Sequence, residues 1–221
     1  MRRFLGGLMV AATAAIGFGS AAFASTSAWT EFVYNSSGNA LKGVALPASA
    51  DGTASFNFAS GVYTATLITS DESLTSDLTG KTLNDSVSVT GMSAGASFQD
   101  QNNGGCTPDN RSVRLFFTSG GTGEGGQRGF YTTFWWSNPS SLTLTNNVNG
   151  TFSASLSDPS QWSDWNGQKG DSRADVTAAF NTAVTKVHSV GLSFGGGCFF
   201  ENGVTTSDGS GTIKSSFSES P

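Results

Sequence analysis

Short runs of the chain alternate between hydrophobic and polar residues, and clusters of Gly, Ser and Asn separate these runs. In one of them Phe56 and Phe58 alternate with Ser55 and Asn57. Successive side chains of a strand point to opposite faces, so such a run predicts a strand with one buried face. The pattern predicts about ten strands, at 29–34, 53–58, 63–67, 83–89, 113–117, 130–136, 142–144, 152–156, 190–194 and 212–217. We therefore expect an all-β chain folded as a two-sheet antiparallel β-sandwich.

One segment has a different period. Between 174 and 187 the apolar residues recur every three or four positions, which predicts a short α-helix. Ser172 and Asp175 have the spacing of a capping box and predict where this helix starts. We expect the helix to lie across an end or an edge of the sandwich.

The N-terminus reads as an export signal. Arg2 and Arg3 precede an apolar, Ala-rich stretch that ends in the small-x-small pattern Ala22, Phe23, Ala24. This predicts a signal peptide at 1–24 and a secreted chain at 25–221, which we expect to form a single β-sandwich domain. The alternative is a structural helix or a membrane anchor. Four glycines interrupt the short apolar stretch, so we expect no membrane span in the mature chain.

Export also bears on the two cysteines. Cys106 and Cys198 each follow glycines, and in an oxidising compartment such a pair predicts a disulfide bond. The alternative is a nucleophilic thiol, for which His188 is the one histidine available as a base.

Composition excludes several classes of function. The chain contains 17 Phe, 5 Trp and 3 Tyr, enough apolar side chain for a folded core. A net charge of −5 without a basic cluster argues against nucleic acid as a partner. One histidine and two cysteines exclude a His-rich zinc site and iron–sulfur ligation.

Two stretches resemble a known group of folds. DLTGKTL at 77–83, continuing into SVSVTG at 86–91, is similar to the opening sheet strand of galactose-binding-like jelly rolls, which include many secreted carbohydrate-binding modules. KVHSVGLSFGG at 186–196, followed by a strand at 211–217, resembles their last third. The resemblance implies a jelly-roll sandwich and a glycan ligand. These modules often carry an acidic residue near a structural calcium in the closing strand. Here that strand has Lys214, Ser215 and Ser216, so the sequence supports no calcium and we expect no cofactor.

Exposed aromatic rings would carry a sugar site, since the C–H face of a pyranose stacks on a ring while amides and carboxylates bind its hydroxyls. Trp135 and Trp136 are adjacent in a predicted strand and must face opposite ways, so at most one is core. Trp162 and Trp165 are three apart in a polar turn, and a helical turn would place both rings on one side. The candidate ligand-binding residues are Trp135, Trp136, Trp162, Trp165, Phe199, Phe200, Glu201 and Asn202. For each aromatic group the alternative is a core or end-plug role.

An enzyme is a third possibility. A glycosidase needs two carboxylates, but the five Glu of the mature chain show no alternating acidic pair on a strand. A serine hydrolase would need His188 as its base, and no Gly-x-Ser-x-Gly motif lies near His188 in the sequence, so we expect no serine hydrolase. The sequence therefore favours a monomeric, non-catalytic glycan-binding protein. The alternative from another class is a structural protein of the cell envelope.

Overall fold

The computed structural model describes residues 28–35, 42–49, 51–101, 111–120, 133–196 and 200–221. The described residues form fourteen strands, so the chain is mostly β as the alternating pattern predicts. Their bounds are β1 (Thr30–Asn35), β2 (Lys42–Ala45), β3 (Ala54–Asn57), β4 (Val62–Thr69), β5 (Thr82–Thr90), β6 (Phe98–Asp100), β7 (Ser112–Thr118), β8 (Phe134–Ser137), β9 (Leu142–Thr143), β10 (Asn149–Ser155), β11 (Trp162–Asp164), β12 (Ser189–Gly195), β13 (Val204–Thr206) and β14 (Thr212–Ser220).

The strands pair in two antiparallel sheets, which confirms the predicted sandwich. The larger sheet follows the order β11-β8-β7-β12-β4-β1-β2, and β13, β6 and β9 pair at its sides. The smaller sheet has the order β10-β5-β14-β3. One apolar core joins them, and ring contacts such as Phe56 with Phe194 and Trp29 with Phe217 cross between the sheets.

All ten predicted strand segments overlap an observed strand, but β2, β6, β11 and β13 were not predicted. Each of these has only three or four residues, and none of them alternates hydrophobic and polar residues along its sequence. They also lie at an edge or a side of the larger sheet, where pairing with a distant strand decides the conformation.

The predicted helix is present as α1 (Ala174–Val184), three residues shorter than expected at its C-terminal end. It stops there because Val187 exchanges two backbone hydrogen bonds with Ser76. The predicted cap is wrong: the Ser172 hydroxyl donates to the Lys169 carbonyl, and the Asp175 carboxylate pairs with Arg173. The apolar face of α1 packs Val176, Phe180, Ala183 and Val184 into the core.

Candidate functional site

Strand β8 carries two adjacent tryptophans that point to opposite faces of the larger sheet. Trp135 points inward to the core shared with the smaller sheet, and Trp136 points to the opposite side, here called the outer face. Both indoles are almost fully buried, at 0% and 2% exposure. The sequence predicted opposite faces for this pair, and the structure shows which tryptophan is inside.

Trp162 also lies in the core, so the predicted side-by-side arrangement with Trp165 is wrong. Residues 162–164 form β11, which pairs with β8 and turns the Trp162 ring inward. Its indole N–H donates to the Ser155 carbonyl at 2.8 Å, and its ring meets Phe117 and Phe180. Trp135 and Trp162 are packing residues and present no surface to a ligand.

A second group of aromatic rings lies on the outer face. Its buried members are Phe116, Phe134 and Trp136, and Ile68, Trp165 and Phe200 pack against them while partly exposed; we call these six residues the outer aromatic cluster. Phe116 and Phe134 stack with centroids 5.3 Å apart, and Trp136 lies 4.8 Å from Phe134. The outer side of a sandwich usually faces water, so a buried aromatic cluster on this side is unusual.

A tight turn after β11 positions Trp165. The Asp164 carboxylate accepts backbone N–H groups of Asn166 at 2.9 Å and Gln168 at 2.8 Å, which fixes the turn. The Trp165 ring lies 5.1 Å from Trp136 and 5.6 Å from Phe134. Trp165 is thereby held at one border of the cluster with the exposed Asn166 beside it.

Phe200 forms another border of the cluster. The Ser193 hydroxyl in β12 donates to the Phe200 carbonyl and holds this segment over the sheet. The Phe200 ring meets Trp136 at 5.8 Å, and the Arg114 guanidinium lies 4.2 Å from the Phe200 ring centroid, within the range of a cation–π contact. Arg114 also donates to the Ser137 carbonyl at 3.1 Å.

Glu201 and Asn202 continue from Phe200 and are both buried. Burial raises the pKa of Glu201 to about 8, and a hydrogen bond with the Trp136 indole opposes this rise. Burial raises the pKa of Tyr34, and the Glu201 carboxyl adds to this rise. Among the described residues, Glu201 Oε1 and Asn202 Oδ1 lack a hydrogen bond of normal geometry.

The outer face also carries a depression of about 470 Å³. It is lined by Ala28, Thr30, Phe32, Ile68, Ser70 and Asp71, and we call it the Phe32 depression. Phe32, Ile68 and Thr30 are half-buried, and Ser70 is exposed. Asp71 accepts the backbone N–H and the hydroxyl of Ser73, which fixes its carboxylate at this end of the sheet.

Sequence reasoning missed Phe116, Phe134, Arg114 and the Phe32 depression. A signal was present: Phe116 is followed by Phe117, and Phe134 by two tryptophans. Adjacent aromatic residues in one strand must place at least one ring on the outer face. Phe32 was missed because its neighbours in the depression come from two strands.

Phe199 and both cysteines, Cys106 and Cys198, lie outside the described residues, as does the predicted signal peptide. The predicted disulfide bond and cleavage site therefore stay predictions.

Two observations bear on catalysis and metal binding. Glu31 is buried beside strand β4 and accepts a hydrogen bond from the Thr64 hydroxyl at 2.7 Å, whereas Glu201 bonds with the Trp136 indole of the outer aromatic cluster. Within the described ranges no cluster of three His, Cys, Asp or Glu side chains is placed to hold a metal ion. Nor does any helix in those ranges have the length and hydrophobicity needed to cross a membrane.

Comparisons of the chain with protein-family models, with curated proteins and with solved structures find no match.

Proposed function

We propose that this protein is a secreted, non-catalytic carbohydrate-binding protein of jelly-roll type, and that its glycan ligand contacts the outer aromatic cluster at Trp165 and Phe200. The observation that carries the proposal is a set of aromatic rings on the side of the sandwich that usually faces water. The two partly exposed rings offer stacking surfaces for pyranose rings.

The polar groups beside these rings suit the same ligand. Arg114 lies over Phe200 and supplies N–H donors. Asn166 adds an amide next to Trp165. A ring flanked by donors and acceptors is the usual composition of a site that reads sugar hydroxyls.

The jelly-roll assignment has support in the path of the chain. Successive strands move between the sheets, with β3 in the smaller sheet, β4 in the larger and β5 in the smaller again. The last strand, β14, inserts between β3 and β5. Export from the cell rests on the N-terminal signal pattern.

The test is a glycan array and polysaccharide affinity electrophoresis with the mature protein. Trp165→Ala and Phe200→Ala should each abolish or strongly weaken binding while the protein remains folded. Trp135→Phe is the matched control, because it changes a tryptophan of the same sheet that faces the core; it should lower stability and leave the ligand affinity unchanged.

The second candidate function is a structural protein of the cell envelope. The burial of four of the five tryptophans, Trp29, Trp135, Trp136 and Trp162, favours it. A folded wild-type protein that binds no glycan or polysaccharide, with Trp165→Ala affecting stability alone, would support this second function.

A further inference from the structure

Arg114 is a cation that pairs with no carboxylate in the described part of the chain. Its guanidinium contacts the Phe200 ring and donates to the Ser137 carbonyl, and both of these groups are uncharged. Burial lowers the pKa of Arg114, and no carboxylate among the described residues opposes this. Four other described cations do form an ion pair with an Asp or Glu: Lys81, Arg111, Arg173 and Lys214. The charge of Arg114 is therefore partly desolvated and unbalanced.

Arg114 stands at the border of the outer aromatic cluster that Phe200 forms. It precedes Phe116 by two residues in β7, and residues two apart in a strand share a face. Arg114 and Phe200 are both half-buried, so part of this border is accessible to solvent. A ligand group at this border need not pass over the buried rings of the cluster.

A second cation lies close to Arg114. The Lys169 amine donates to the Asn138 carbonyl, and Arg114 donates to the carbonyl of the preceding residue, Ser137. Successive peptide groups thus hold the two cations. Burial lowers the pKa of Lys169, Asp171 opposes this, and the charge of Arg114 adds to the lowering. Two like charges within electrostatic range of each other favour an anionic group between them or beside them.

The acidic residues next to the exposed rings do not cancel this positive charge. Glu201 follows Phe200, but burial raises its pKa to about 8, so the carboxyl is mostly protonated at neutral pH. Asp164 precedes Trp165, and its carboxylate accepts two backbone N–H groups of its own turn and interacts with Arg173. Among the described residues, the border at Arg114 therefore stays positive at neutral pH.

We infer that the glycan bound at the outer aromatic cluster is acidic, and that a carboxylate or sulfate group of its sugars pairs with Arg114 beside Phe200. This inference rests on the proposed function and names the class of its ligand. A guanidinium binds an oxyanion through charge-assisted hydrogen bonds, which are stronger than its bonds to neutral acceptors. Sugar hydroxyls alone would leave the charge of Arg114 without a counterion.

The experiment compares oligosaccharides that differ in charge alone, by isothermal titration calorimetry. The carboxylate probes are hexasaccharides of galacturonic, glucuronic and mannuronic acid, each measured beside its full methyl ester. The sulfate probe is a carrageenan hexasaccharide measured beside its desulfated form. We expect at least one acidic chain to bind about tenfold more tightly than its uncharged form, and this preference to shrink at high salt.

Variants of Arg114 test its role in this preference. Arg114→Gln should lower the affinity for the acidic chain about tenfold more than the affinity for the uncharged form. Arg114→Lys keeps the charge but not the planar guanidinium, so it should retain part of the preference. Lys214→Gln is the matched control, because it removes one positive charge from the smaller sheet, where Lys214 already pairs with Asp51; it should leave the preference unchanged.

The outcomes distinguish this inference from the proposed function. Equal affinity for charged and uncharged chains overturns the acidic ligand and leaves glycan binding in place. A preference for the acidic chain that persists undiminished in Arg114→Gln overturns the role of Arg114. If circular dichroism shows that Arg114→Gln does not fold, a wild-type preference that high salt does not weaken overturns the inference. A preference confined to the sulfated chain supports it, with sulfate as the bound group. Absence of binding to every probe, polysaccharide and arrayed glycan overturns both.

Discussion

The Ser215 hydroxyl donates a 2.6 Å hydrogen bond to Oδ2 of Asp85 inside the sandwich. Asp85 occupies an inward position of β5 and is 1% exposed, and its Oδ1 has no hydrogen-bond partner in the described part of the chain. Burial raises the pKa of this carboxyl to about 7, and the bond from Ser215 opposes the rise. The core therefore favours the protonated form of the Asp85 carboxyl.

The first prediction is that stability falls as pH rises. The folded protein binds more protons than the unfolded chain between the ordinary carboxyl pKa and about pH 7, so the free energy of unfolding decreases through this window. The loss attributable to Asp85 between pH 4 and pH 8 is on the order of 4 kcal/mol. The elevated pKa of Glu201, about 8, acts in the same direction. Urea unfolding at a series of pH values measures the effect.

Asp85→Asn provides the control for this prediction. The amide stays neutral at every pH and can still accept from Ser215, so the pH dependence should flatten and the variant should exceed the wild type in stability at pH 8. The exposed Asp171→Asn should leave the profile unchanged. A wild-type stability that increases between pH 4 and pH 8 would contradict the prediction.

The second prediction contrasts two tryptophans three residues apart. Trp162→Ala should cost about 3–5 kcal/mol, because it leaves a cavity beside Phe117 and Phe180. Trp165→Ala removes a partly exposed ring from the outer face and should cost less, about 1–2 kcal/mol. Denaturant midpoints of the two variants give the comparison; equal losses would show that Trp165 is as much a core residue as Trp162.

The strand pattern and the helix could be predicted from the sequence because one-sided burial imposes a period of two or about 3.6. The position of Asp85 was also part of that alternation. The site was harder to predict. Which way Trp135 and Trp162 face depends on the register between β8 and β11, and Ile68 joins Phe116 only through pairing of β12 with β4. Such pairings connect distant parts of the chain, and local sequence does not encode them.

The third prediction concerns Gly191. A Cβ atom there would lie 1.9 Å from the Leu67 carbonyl oxygen, which is backbone and cannot move aside. Gly191→Ala should force β12 and β4 apart and cost about 3 kcal/mol or more. Gly80→Ala is the control: its φ of +79° is strained for alanine, but its Cβ meets no atom within 4 Å, so the cost should be about 1–2 kcal/mol. Similar thermal stabilities for the two variants would argue against the close strand approach.

The fourth prediction concerns maturation. If signal peptidase cleaves after Ala24, the secreted protein starts at Ser25, and intact-mass analysis should show the loss of 24 residues. A bond between Cys106 and Cys198 should lower the mass by two further hydrogens. Two thiols that react under denaturing, non-reducing conditions would refute the disulfide.

The packing of α1 has a spectroscopic consequence. Phe180 contacts both Trp135, at 5.1 Å, and Trp162, at 6.3 Å, so the helix covers two of the five indoles in a dry environment. Detachment of the helix would hydrate these indoles while the sheet hydrogen bonds remain intact. Their fluorescence emission would shift to the red before the far-ultraviolet circular dichroism of the strands changes. The buried tryptophans of the native protein thus report optically on detachment of the helix from the sheet.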